Sequence, residues 1–259
     1  MNMDINWVIN WLSPKEVEMI LTGIKDTLYM TLAATFFGYV IGLPWGILLN
    51  TTGKDGLTPH RAVYAIVDFI TNVMRSVPFL IMLILVQPVT MWIVGKSYGS
   101  GATIVPLTIS AAPLIARMVE SSLNEVDKGV IEAAQAMGSS NGYIIRKVLL
   151  KESKISLIAG ATITVGTVLG YSAMAGILGG GGLGDIAIRY GYYRYQPNIL
   201  WVSVILLVAI VMILQGIGTL ISKKFDRRKK YRIQRNKRGN IICNHANGIA
   251  GEKLWPLTK

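Results

Sequence analysis

The stretch with the most chemical promise is "GGGGLG" at 179–184, where Gly179, Gly181 and Gly184 satisfy the spacing G-x-G-x-x-G. In a dinucleotide site such glycines follow a strand and open a helix, so that backbone N–H groups cradle a pyrophosphate. Here the turn closes a charge-free run from 155 to 184, which reads as membrane helix rather than strand, and the nucleotide reading fails. The glycines are expected instead to form a tight external turn that re-enters toward a helix bundle. The pattern G-x-x-x-x-G-K-[ST] is absent, so the chain has no phosphate loop with which to hydrolyse ATP. His60 sits between Pro59 and Arg61, and His245 lies in a polar stretch. Neither has a carboxylate or second histidine at ligand spacing, so no metal is expected. Cys243 is the only cysteine, which rules out an intrachain disulfide and a thiolate cluster. A membrane enzyme would need ionisable groups converging at membrane depth. The candidates are Asp68 and Arg75, seven residues and two helical turns apart on one face. Anchoring, with Arg75 steadying a kink at Pro78, suits them better than a proton relay.

Two further stretches carry usable side chains. Thr164, Thr167, Tyr171 and Met174 fall at i, i+3, i+7 and i+10 and share a helical face. Hydroxyls that stand in for water beside a ring and a thioether suit a path for a small zwitterion with an apolar side chain. The bland reading has the threonines bonding their own helix carbonyls and Met174 filling a gap. In "VIEAAQAMG", Val130, Ala133, Ala134 and Met137 share one face, with Glu132, Gln135 and Ser139 opposite. Small alanines make a smooth helix that slots into a protein groove, and Gly138 can end it. Alanine anchors poorly in lipid, so docking to a partner protein is the better reading.

These residues must be positioned by membrane helices. Of 259 residues, 52% are hydrophobic and 15% charged, well below the roughly 25% charge of soluble domains. The windows 27–53, 76–95, 97–116, 155–184 and 195–222 contain no Asp, Glu, Lys or Arg. Each is long enough to cross a hydrocarbon core of ~30 Å, and continuous apolar runs point to helices rather than a barrel. The expected fold is an all-α polytopic membrane protein with five spans near 27–49, 62–95, 103–122, 145–178 and 198–222. The second is too long for one upright helix. Pro78 in "RSVPFL" pushes Val77 out of helical geometry, so a kink or partial break is expected there. Gly38, Gly42 and Gly46 form a small-residue stripe for close helix packing, within one protomer or between two.

Charge sets the orientation. Connections 51–61 and 117–154 and the tail from 223 hold twenty Lys and Arg, against five in 1–26, 96–102 and 185–194. The positive-inside rule then places the N-terminus outside and the C-terminus in the cytoplasm. Of the net charge of +12, the tail 223–259 supplies +10, which fits an anchor on anionic lipid and not a nucleic-acid surface. The expected organisation is an extracytoplasmic segment 1–26, without the pattern of a cleaved signal peptide, a membrane domain 27–222, and a basic, disordered cytoplasmic tail 223–259.

Glu132-Ala133-Ala134, three residues, Gly138, then nine residues and Val148-x-Leu150 resembles the EAA loop of binding-protein-dependent ABC importer permeases. Val148 stands where Ile is usual and Lys151 where Pro is usual, so the bend after this helix could differ. "RSVPFL" is similar to a segment of amino-acid permeases. The stretches 104–138 and 170–185 resemble the methionine permease branch, and the likeness spans roughly 10–222. It implies a type I importer bundle in the bacterial cytoplasmic membrane, with Glu132, Ala133, Ala134, Met137 and Gly138 coupling to an ATPase. It further implies two copies of the permease, a dimer of ATPase subunits holding ATP and Mg²⁺, and an extracytoplasmic binding protein, often lipid-anchored. This chain itself would bind no cofactor and catalyse no reaction. The implied cargo is D- or L-methionine; another amino acid or small ligand on the same fold is the alternative.

Overall fold

In this computed structural model residues 12–225 are described, and they are helical, with no strand among them. The first helix, α1 (Pro14–Thr52), is 39 residues long, about 58 Å at 1.5 Å per residue. It therefore begins well before the boundary expected at residue 27. The cause is local: Ser13 caps it, the Ser13 N–H donates to Glu16 Oε2 at 2.6 Å, and the Glu16 N–H reaches back to Ser13 Oγ at 3.4 Å. Pro14 at the first turn has no N–H to leave unsatisfied. Residues 1–11 and the tail from 226 lie outside the described residues, so the expectations for them are not addressed by the fold.

The packing partner of α1 is α5 (Ser100–Asn124). The glycine stripe faces α5 of the same protomer, which decides between the two readings of it. A Cβ on Gly42 would stand 2.7 Å from the Ala112 carbonyl oxygen, and one on Gly46 2.5 Å from that of Ala116. Backbone approach this close is how helices associate where lipid removes the hydrophobic drive. Met30, Ala34, Leu107, Ala111, Ile115 and Val119 fill the space between. Gly46→Val should accordingly destabilise the protein by about 1–3 kcal/mol or more through overpacking. A lowered melting temperature in detergent would register it, and an unchanged one would mean that the two helices can part freely.

The second span is broken outright. α2 (Arg61–Ser76) and α3 (Phe79–Leu85) meet at 105°. Val77 is extended, at φ −76° and ψ 123°, as steric conflict with Pro78 demands. Arg75 is exposed and makes no hydrogen bond or ion pair among the described residues, so the expected steadying role is not supported. Proline geometry alone accounts for the turn. Helix α4 (Gln87–Val94) follows and ends on Gly95.

After α5 come α6 (Lys128–Ala136) and a mixed helical run from 141 to 152 whose middle, Ile144–Leu149, is π-helical. Ile144 and Leu149 are fully buried in the core under α6. The fourth span, α7 (Lys154–Ala175), thus starts at 154 and not at 145. The charges of Arg146, Lys147, Lys151 and Glu152 keep the preceding run outside it. The glycine turn follows: Gly179, Gly181 and Gly182 take φ of 74°, 81° and 78°, which residues with a Cβ adopt reluctantly. It folds back into the bundle as the short helix α8 (Gly182–Ile186). The Leu183 N–H donates to Thr27 Oγ1 at 2.9 Å, and the Gly99 N–H to the Gly179 carbonyl at 2.9 Å. The last helix, α9 (Pro197–Phe225), lies along the outside, touching α7 and presenting Trp201, Met212 and Leu220 outward. Among the described residues four helices are long and apolar enough to cross a membrane, and the count is five if the bent α2–α3 pair is one broken span rather than a re-entrant loop.

Candidate coupling surface and translocation face

At the end of the bundle away from the glycine turn, α6 is held rigidly at both ends. Asp127 caps it by accepting from the Gly129 N–H at 2.7 Å. At the other end the Gly138 N–H bonds the Gln135 carbonyl at 2.9 Å and the Ser139 N–H that of Ala134 at 3.1 Å. Gly138 is left-handed at φ 75°. This is the Schellman arrangement for which glycine is suited.

The exposures divide the five expected coupling residues. Glu132, Ala133, Met137 and Gly138 are exposed, Met137 at 78%. Ala134 is 5% exposed and belongs to the core cluster with Ile144 and Leu149. It marks the point where α6 seats on its own protomer, alongside half-buried Ile131. Val130, Ala133 and Met137 remain as the outward strip. Behind α6 lies a cavity of about 450 Å³ whose walls include Lys54, Tyr64, Glu120, Lys128 and Glu132.

The expected path face on α7 also divides. Thr164 is fully buried and donates to the Gly160 carbonyl at 2.9 Å. Thr167, more open, donates to the Ile163 carbonyl at 3.1 Å. Both hydroxyl protons are thus used inside the helix, as the bland reading had it, and what Thr167 offers outward is an acceptor. Thr164 packs inside this protomer and is not on its open surface. Tyr171 stacks on Phe79 with ring centroids 4.6 Å apart and planes 3° apart, a favourable aromatic geometry when offset. Met174 is 48% exposed. Thr167, Gly170 and Met174, with Ile163 and Ile177, therefore make an open strip down α7, with Tyr171 at its edge.

Sequence reasoning missed one cluster. The Arg117 guanidinium on α5 donates to Glu120 at 2.6 Å, to Asp68 at 2.7 Å and to Asn72 at 2.8 Å. Asp68 is therefore paired with Arg117 rather than with Arg75. The i, i+3 spacing of Arg117 and Glu120 was the available signal. At the glycine-turn end a crevice of about 410 Å³ is lined by Lys15, Glu18, Asp26, Asp185 and Arg189 among others. Burial pushes the Asp185 carboxyl up from its ordinary range, and the Arg189 guanidinium 2.9 Å away opposes that shift.

Residues 42–231 match the family described as binding-protein-dependent transport system inner membrane component. The chain is 44% identical over 226 residues to the probable D-methionine transport system permease protein MetI of Vibrio cholerae, covering 87% of this chain and 100% of that one. It is 43% identical over 203 residues to the methionine import system permease protein MetP of Bacillus subtilis, covering 78% and 91% respectively. Among solved structures, the MetNI methionine ABC transporter in inward-facing conformations is similar with a TM-score of 0.82 and 44% identity, over 83% of this chain and 100% of that one. An externally placed, doubly capped helix bearing the EAA residues, on a bundle of this shape, agrees with that match: the chain belongs to the binding-protein-dependent transport system inner membrane components, the membrane-embedded part of an ABC importer.

Proposed function

We propose that this chain forms the membrane path of an ATP-driven methionine importer. The observation that carries the reading is α6, a helix fixed by its caps and by Ala134 to its own bundle, yet presenting Val130, Ala133 and Met137 with no partner among the described residues. A strip of that kind suits a groove on another subunit. The names of the relatives supply the cargo class. In this reading the α6 end is cytoplasmic, the N-terminus is outside, and the tail lies against the inner leaflet. Two copies would enclose the path between their α7 strips, each seated on one subunit of an ATPase dimer that holds ATP and Mg²⁺. A binding protein, lipid-anchored, would deliver methionine to the glycine-turn end, where the mixed charges of the outer crevice offer complementary contacts. Closure of the ATPase dimer would draw the two α6 helices together and favour an outward packing of the bundle, and hydrolysis would restore the inward one.

The test is radiolabelled methionine uptake into proteoliposomes holding the permease with its copurifying ATPase and binding protein. ATP-dependent accumulation, competed by unlabelled methionine and not by other amino acids, is expected. Stronger competition by a different amino acid would instead support the same fold with another cargo.

A further inference from the structure

The cytoplasmic arm of the reading above ends on α6, while the break and its stacked rings belong to α2 and α3. What joins them is the cluster around Arg117. Arg117 stands about two turns before the end of α5, and α6 begins just beyond, at Lys128. One guanidinium nitrogen, Nη1, holds Glu120 on the same helix at 2.6 Å. The other, Nη2, crosses to α2, where it meets Asp68 Oδ1 at 2.7 Å and Asn72 Oδ1 at 2.8 Å. The Asn72 amide returns to Asp68 Oδ2 at 3.0 Å, and the Tyr64 hydroxyl lies 3.4 Å from Glu120 Oε1. The planar fork of arginine suits bridging of this kind, which a lysine ammonium cannot reproduce.

The rest of α2 is poorly held. Thr71 is its one buried residue, and Ile66, Phe69, Ile70 and Val73 face outward. Val63, Val67 and Met74 are half-buried, and the polar cluster supplies the side-chain hydrogen bonds that tie α2 to α5. Beyond the tie, α2 runs to the 105° break, and the first residue after it, Phe79, stacks on Tyr171 of α7. The chain from α6 back into α5, the Arg117 cluster, α2 with its break, and the Phe79–Tyr171 stack therefore form a continuous route from the foot of α6 to the edge of the α7 strip.

We infer that Arg117, Asp68 and Glu120 are positioning residues for transport, a joint that makes α2 move with the α5–α6 arm and so delivers motion of α6 to the Phe79–Tyr171 stack. The inference rests on the importer reading. Without the joint, α6 still docks and ATP is still hydrolysed, but the break no longer follows.

The experiment measures methionine transported per ATP hydrolysed in proteoliposomes of the whole complex. Asp68→Asn should lower that ratio by about fivefold to tenfold while ATP turnover persists. Asp68→Glu should largely restore it, and Arg117→Lys should fall between. The double variant Asp68→Asn with Arg117→Gln should be no worse than Arg117→Gln alone. Should Arg117→Gln fail to assemble, Asp68→Asn still decides the matter, because it leaves the Arg117–Glu120 pair in place. A purely structural cluster would reduce assembled complex, and transport and hydrolysis together, at constant ratio; that outcome overturns the inference. If the wild-type complex accumulates no methionine, the importer reading itself has failed, and the ratio for whatever cargo it does accumulate tests the joint separately.

Discussion

Replacing Glu132 with arginine is expected to strip the ATPase from the purified permease while leaving the permease folded. Glu132 is exposed on α6 and makes no hydrogen bond or ion pair among the described residues. Reversing its charge therefore breaks no hydrogen bond or ion pair within the described fold. A partner groove shaped for an acidic, alanine-rich helix loses a great deal. In the importer reading, the variant sets a cation where the partner groove receives a carboxylate, beside Lys128 and Lys54, which line the same cavity. Truncating one partner of a buried interfacial charge pair costs about 2–5 kcal/mol, so affinity should fall on the order of a hundredfold. Affinity copurification reads the effect, and a melting curve close to that of the wild type shows that the fold survives. Full retention of the ATPase with normal uptake would remove Glu132 from the interface. Ala134→Leu should behave differently, because Ala134 packs against the protein's own core. Its larger side chain would pry α6 from its seat, and the melting temperature should drop.

That contrast marks where sequence reading stops. The spans were legible because windows without charge are long, and the break because proline constrains the residue before it. The start of α1 was also written in the sequence, as Ser13 followed three residues later by Glu16. Charges at Lys15, Glu18, Lys25 and Asp26 obscured it by making that stretch look like a connection, although a helix of about 58 Å readily carries charged turns beyond the hydrocarbon. The inward direction of Ala134 was not legible. Ala133 and Ala134 are adjacent and identical in hydrophobicity, and only the position of Ile144 and Leu149 beneath the helix fixes which alanine is buried. Asp68 and Arg117 are 49 residues apart in the chain. Nothing local pairs them; the packing of α2 against α5 does. Arg75 shares a helical face with Asp68 and was expected to steady the kink at Pro78, but the fold leaves it exposed.

The α7 face calls for the second decisive substitution. Thr167→Trp should cut methionine uptake by more than about tenfold without preventing assembly. Thr167 stands on the open strip between Ile163 and Gly170, next to Tyr171, and its hydroxyl proton is already committed to the Ile163 carbonyl. Its loss removes one intrahelical bond, a modest cost of about 0.5–1.5 kcal/mol. What the indole adds is bulk on a surface that this protomer leaves uncovered. Were that surface in lipid, tryptophan would be accommodated there and uptake would continue. Between two α7 strips, the same ring would occupy the space through which a small zwitterion with an apolar side chain must pass. Thr164→Trp makes the complementary comparison: that position is fully buried, so overpacking should unfold the bundle before transport can be measured. Blocked uptake at 167 in an assembled complex, together with misfolding at 164, assigns the strip to the path and the buried threonine to the core. Normal uptake at 167 would turn the strip outward to lipid and move the path to another face of the bundle.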